Sequence, residues 1–399
     1  MTSIPVPCSL FPVPCSTRIF FLDQSGKPGG AELCLQDIAK PYGENALIGL
    51  FTDGPFRDLL HQQQIPVEVL ATQAINVSKQ SGLYASLASL RQIAPLIYQV
   101  IERAQEYDLI YANTQKALVV GAIASFFARR PLVYHLHDIL SLEHFSATNI
   151  RVAVTLANRF ASAVIANSQA SKTAFLQSGG KPKIIKVIYN GFEPEKYQVP
   201  GEIAQKLRQE LGLAEKFVVG QFSRLAPWKG QHILIQALTQ CPPQVTALLV
   251  GDALFGEQDY VKQLHEQVNL LGLENRVKFL GFRSDIPELI TACDLVAHTS
   301  TNPEPFGRII IEGMLCGKPV VASRAGGVLE LIEDHMNGFL FNVSNFNELS
   351  QIINTCIHEP EKTVIMANHA RIIAIKRFDM KAINQEIAEL LDLVLSHPH

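Results

Sequence analysis

Short β-branched runs alternate with longer stretches of helical period along the first half of the chain. The candidate strands are 18–23 (RIFFLD), 45–52 (NALIGLFT), 108–113 (DLIYAN), 132–137 (LVYHLH), 163–168 (AVIANS) and 185–191 (IKVIYNG). Helical patterns fill the intervals, notably 82–106 and 151–161. Such alternation predicts a parallel sheet covered by helices on both faces. The rhythm stops at 190–202, NGFEPEKYQVPGE, where two prolines and two glycines interrupt any period. A charged helix follows, and then a second series of strands at 217–223, 245–251, 276–282, 294–300, 319–323 and 338–342. From 346 onward the pattern is helical. The expected architecture is α/β, with two doubly wound, Rossmann-like domains at 17–194 and 195–375 facing across a cleft. An irregular leader at 1–16 precedes them, and a C-terminal helix at 376–399 crosses back to the N-terminal domain.

Composition changes this picture little. The chain has 399 residues, enough for two domains, and is 47% hydrophobic and 18% charged, enough for two dry cores. A net charge of −3 gives no global attraction to nucleic acid, and no nucleic-acid partner is expected. The seven cysteines, at 8, 15, 34, 241, 293, 316 and 356, follow neither a CxxC nor a zinc spacing, which reads as a reduced, cytoplasmic compartment. The start repeats PVPCS at 5–9 and 12–16 without a basic region, so a leader is expected in place of a secretory signal. The longest nearly apolar run, 117–128, is too short to span a bilayer and is expected as a buried helix. The stretch 76–92 reads as a helix on the domain surface, and peripheral membrane association stays open.

Ligands of doubly wound sheets bind where strands end, so the loops after strands carry the chemistry. In SRLAPWKG (223–230), Arg224 sits at a strand end and Lys229 at a helix start, an arrangement suited to a diphosphate. Trp228, the single tryptophan, either stacks on a ligand or packs on the helix. In NPEPFGRIIIEG (302–313), Glu304 precedes a helix opened by Gly307 and Arg308 and stopped near Gly317. Glu312 falls one turn beyond Arg308 on the same face. A carboxylate accepts two hydroxyls at once, so Glu304 and Glu312 suit sugar diols.

The first half offers GGAE (29–32), whose glycines Gly29 and Gly30 permit close backbone approach. It also offers His135 and His137 in YHLHD, alternating onto one face. A metal pair there has no evident third ligand, and no metal site is assigned; a single histidine hydrogen-bonding substrate is the better reading. Asn113 and Asn167 follow strands and serve either the cleft or helix capping. No GxGxxG and no Walker loop occur, which sets aside dinucleotide and nucleoside-triphosphate readings.

GGAE, the histidine of HLHD, VIYNGFEPEKY, SRLAPWKG and the acid pair of EPFGRIIIE occur in one order and spacing. Together they resemble the family-four retaining glycosyltransferases of GT-B fold (glycosyl transferases group 1), from Arg18 to the C-terminal helix. The resemblance implies a metal-independent enzyme that moves a hexosyl unit from a nucleotide-diphosphate sugar, its co-substrate, to a hydroxyl acceptor such as a glycan, lipid or small molecule. It implies an acceptor-binding N-terminal domain and a nucleotide-sugar-binding C-terminal one. Arg224 and Lys229 would neutralise the diphosphate, and Glu312 would hold the ribose. Glu304, with the amides of Phe306 and Gly307, would hold the transferred sugar beside Arg308. His137 would bond that sugar near its C6 hydroxyl, His135 being the weaker match, and Gly30 would admit the donor phosphate or the acceptor. The alternatives are an inactive nucleotide-sugar-binding or scaffold protein of the same fold, or a GT-B epimerase or phosphorylase relative. Donor base, acceptor and oligomeric state have no signal in the sequence.

Overall fold

The computed structural model describes residues 17–70, 83–253 and 256–397. The leader at 1–16 lies outside them, as does the first part of the 76–92 stretch; from Leu83 the chain is the helix Leu83–Ala104. The chain divides into two compact units, residues 1–192 with 380–399, and residues 193–379. The expected boundaries lay at 194/195 and 375/376, a few residues from these.

The first unit holds seven parallel strands: β1 (Ile19–Asp23), β2 (Ala46–Leu50), β3 (Val67–Val69), β4 (Leu109–Ala112), β5 (Leu132–Leu136), β6 (Ala161–Ala166) and β7 (Ile185–Val187). Their order is β3-β2-β1-β4-β5-β6-β7. Side chains alternate between two cores. Phe20, Leu22, Ile110 and Tyr134 face the helices Gln115–Ala128 and Ala147–Phe160, while Ile19, Phe21, Tyr111 and Val133 face the helix Gly30–Ala39. The last helix, Met380–Ser396, joins this second core through Ile383, Ile387, Leu391 and Val394. Burial of each such side chain contributes about 1.5–3 kcal/mol, which is what holds so late a segment on the first unit.

The second unit has six parallel strands: β8 (Phe217–Phe222), β9 (Val245–Val250), β10 (Val277–Phe279), β11 (Leu295–His298), β12 (Val320–Ser323) and β13 (Phe339–Phe341). Their order is β10-β9-β8-β11-β12-β13. In both sheets the chain order reverses at one place, between β1 and β4 and between β8 and β11. Loops leaving the carboxyl ends of those strands diverge to opposite faces and leave a crevice, the general ligand position of such sheets.

The apolar run 117–128 is less buried than its composition suggests. Ala117, Leu118 and Ala122 are covered, but Phe126 and Phe127 at its end are 63% and 64% exposed. Among the described residues, no helix is long and apolar enough to cross a membrane.

Candidate active site

In the second unit, the loop after β8 and the loop after β11 meet at the switch point. Arg224 follows β8, and Pro227–Lys229 form one turn of 3-10 helix before the helix Gln231–Leu238. Buried polar side chains fix this loop. Gln231 donates to the Ser223 hydroxyl and the Arg224 carbonyl, both at 2.9 Å. Gln221 donates to the Lys229 carbonyl at 2.8 Å, and Thr299 to the Lys229 and Gly230 carbonyls at 3.1 and 2.9 Å. The backbone bearing both cations is thereby rigid.

Lys229 Nζ donates to both oxygens of Glu304, at 3.1 and 2.8 Å. The Ser300 hydroxyl donates to Glu304 Oε2 at 3.0 Å, and His298 Nε2 lies 3.1 Å from the same atom. The centre of the Trp228 ring lies 4.0 Å from Lys229 Nζ and 5.6 Å from the Arg224 guanidinium carbon. The aromatic face thus holds both cations together. Past Glu304, Phe306 is buried with its ring 5.9 Å from that of Phe378. Gly307 takes φ 93°, a left-handed conformation that suits glycine, and starts the helix Arg308–Leu315. Arg308 Nε lies 3.6 Å from Glu312 Oε1 on the same helical face, with both side chains mostly buried.

Burial alone would raise the Glu304 carboxyl. The Lys229 ammonium and the hydrogen bond to His298 outweigh it and hold the group well below the usual carboxylate range. A depressed folded-state value contributes stability that is present above the unfolded value of 4.5 and is lost as pH falls through the folded one. Glu304→Gln is therefore expected to lose less stability than wild type between about pH 6 and pH 3. Thermal melts across that window check it; equal slopes for the two proteins would contradict the assignment.

The first unit gathers a separate group at its own switch point. Asn113, directly after β4, donates to Asp23 at 2.6 Å and to the Ala31 carbonyl at 3.1 Å. Its carbonyl oxygen lies 2.8 Å from His137 Nε2. Gly29 is the N-cap of the helix Gly30–Ala39. Glu32, in the first turn, is pushed up to about 8 by burial and then by the charge of Asp23. Burial likewise raises Asp23 to about 6 against the hydrogen bond from Asn113. His135 is buried, with Nδ1 2.8 Å from the Tyr111 hydroxyl; burial, then His137, pushes its pKa well down.

Some expectations need correction. Asn113 and Asn167 cap no helix: Thr114 and Ser168, one residue later, do. Asn113 instead ties Asp23 to His137, and Asn167 donates to the His137 carbonyl at 3.3 Å and accepts from Ser171 at 2.9 Å. A third donor does stand beside the two histidines, namely Cys34, which the sequence places a hundred residues away. His298 and Ser300, which the motifs do not single out, also reach Glu304; their signal in the sequence is position, polar residues at and just beyond the end of an apolar strand.

Residues 29–191 match the family described as glycosyl transferase 4-like domain, and residues 204–373 match glycosyl transferases group 1. The crystal structure of Anabaena Alr3699/HepE in complex with UDP-glucose is 66% identical, with a TM-score of 0.89 over 94% of this chain and 99% of that one. The same protein in complex with UDP and glucose gives 67% and 0.89 over the same shares. Spore coat protein SA of Bacillus subtilis is 30% identical over 223 residues, which span 52% of this chain and 58% of that protein. The chain is a GT-B glycosyltransferase and belongs to the glycosyl transferases group 1 family.

Proposed function

We infer that this protein moves a glucosyl unit from UDP-glucose to a hydroxyl acceptor, with retention at the anomeric carbon and no required metal. The observation that carries the reading is the Lys229–Glu304 pair at the switch point of the second sheet, 2.8 Å apart with Arg224 beside it. The donor's identity rests on the likeness to Alr3699/HepE, which was crystallised with UDP-glucose.

In this reading Arg224 and Lys229 receive the diphosphate. As the bond from anomeric carbon to phosphate oxygen breaks, negative charge grows on UDP, and fixed cations stabilise it without reorganisation. Lys229 then supplies the charge that a metal ion supplies elsewhere. Glu304 accepts from the hydroxyls of the transferred glucose, Glu312 accepts from the ribose hydroxyls, and the amides of Phe306 and Gly307 assist. His137, held by Asn113, is proposed to bond a sugar hydroxyl. The acceptor hydroxyl attacks on the face that UDP leaves, and a phosphate oxygen takes its proton. Glu304 is a poor nucleophile here, because the Lys229 ammonium held against both oxygens stabilises the carboxylate charge and lowers its basicity.

The test is incubation of the purified protein with UDP-glucose and other nucleotide hexoses in the presence of a panel of hydroxyl acceptors (sugars, glycans and polyprenyl-linked sugars), with and without EDTA, while following UDP release and the anomer of the glycoside formed. UDP-glucose is expected to be consumed, EDTA to have no effect, and the product to be the α anomer. UDP-glucose at 100 times its Kd should also stabilise the fold by about 2.7 kcal/mol. No turnover of any nucleotide sugar, or a β product, would overturn the reading.

A further inference from the structure

His135 is the penultimate residue of β5 and His137 follows its last residue, Leu136, so the two imidazoles leave the end of the strand on one face. Their ring centroids are 3.8 Å apart. Across from them the helix Gly30–Ala39 presents Cys34. One ligand atom from each of Cys34, His135 and His137 lies within 4.8 Å of the others. Tyr111 engages His135 Nδ1, whereas His135 Nε2 is buried with no hydrogen-bond partner in the protein. A buried polar nitrogen left so is costly unless something else satisfies it. Asn113 orients His137 and is itself anchored on Asp23. That is the outer-partner arrangement which fixes ring orientation around metals.

The geometry points to a binding site for a borderline divalent transition cation such as Zn²⁺ or Co²⁺, held by Cys34 Sγ, His135 Nε2 and His137. In the metal-free protein the Cys34 thiol donates to Asn190 Oδ1 at 3.3 Å, and cation binding releases that proton to solvent. The resulting thiolate and two neutral imidazoles are the donors such cations select, and they leave a fourth position open. Mg²⁺ and Ca²⁺, which require oxygen donors, are excluded. In the required tautomer Nδ1–H of His135 donates to the Tyr111 oxygen, leaving the Nε2 lone pair for the cation. The cation is no aid to glycosyl transfer. Resting on the role proposed above for His137, it competes with the sugar for that ring and inhibits.

Co²⁺ titration of the full-length, chelator-free protein under reducing conditions tests the site through absorption and needs no donor. Equimolar binding with tetrahedral d–d bands and a thiolate-to-cobalt charge-transfer band is expected. Cys34→Ser should abolish the charge-transfer band, and His135→Ala should weaken binding about 100-fold or more. Cys316→Ser, which alters a thiol outside the cluster, should change neither. Far-UV circular dichroism of the metal-free variants verifies their fold, and His135→Ala carries the test should Cys34→Ser fail to fold. Absence of equimolar binding, or spectra unchanged in both variants, overturns the site and leaves the glycosyltransferase reading untouched. Zn²⁺ that fills the site should slow UDP release by wild type; filling without slowing overturns the competition.

Discussion

Lys229→Ala is expected to lower the rate of UDP release from UDP-glucose by about 10²–10³-fold, the usual cost of removing one preorganised charge-stabilising donor. Lys229 is only 15% exposed, and its ammonium sits in a fixed position on the Trp228 face. Water entering the alanine variant cannot reproduce a charge placed without reorganisation. The loss should fall on kcat as well as on kcat/KM, because the leaving charge develops only as the bond breaks. Stability moves too. Breaking a buried pair by removing one partner costs about 3–5 kcal/mol, and Glu304 is 12% exposed. His298 and Ser300 remain on the carboxylate, so the lower figure applies. Combining Lys229→Ala with Glu304→Gln should recover much of that stability and none of the rate. Calorimetry and steady-state kinetics on the two singles and the double separate the effects, and a double variant as unstable as Lys229→Ala would refute the pairing.

Gly230→Ala should destabilise the second unit by more than about 3 kcal/mol, at the far end of single substitutions. Gly230 has φ 70°, where an L side chain itself costs roughly 1–2 kcal/mol. A Cβ there would also lie 1.9 Å from the Thr299 carbonyl oxygen, an approach no side chain survives. Thr299 directly follows β11, so relief requires moving the end of a central strand or the loop that carries Lys229. Denaturant unfolding measures the loss; a change below about 1 kcal/mol would show that this loop is not the rigid support described.

The alternation of apolar runs located twelve strands to within a few residues because parallel strands buried on both faces are nearly continuous apolar runs. It missed β3, whose three residues, VEV, are all half-buried and too few to show a period. Arg224, Lys229, Glu304 and Glu312 stood out in the sequence because the first three lie in loops directly after strands and Glu312 in the helix that follows the second loop. What joins them did not. Lys229 and Glu304 are 75 positions apart, and their pairing follows from β8 and β11 being neighbours, a fact of sheet order. The same holds for Cys34 and the two histidines at the end of β5. The caps at Thr114 and Ser168 show a finer limit: adjacent Asn and Thr, or Asn and Ser, are both competent caps, and backbone register alone chooses.

The closing of the first unit by Met380–Ser396 has a consequence for biogenesis. Phe192 and Met380 are joined by a backbone hydrogen bond of 2.9 Å, so residues 193–379 form a loop inserted between adjacent points of one body. A ribosome delivers that insertion before the segment bearing Ile383, Ile387 and Leu391. The nascent sheet of the first unit therefore waits, on the order of tens of seconds, with the part of one apolar face that Ile383, Ile387 and Leu391 later cover still open. Apolar surface exposed in this way is what holdase chaperones bind, and a stop codon anywhere before Met380 leaves that part of the face open for good.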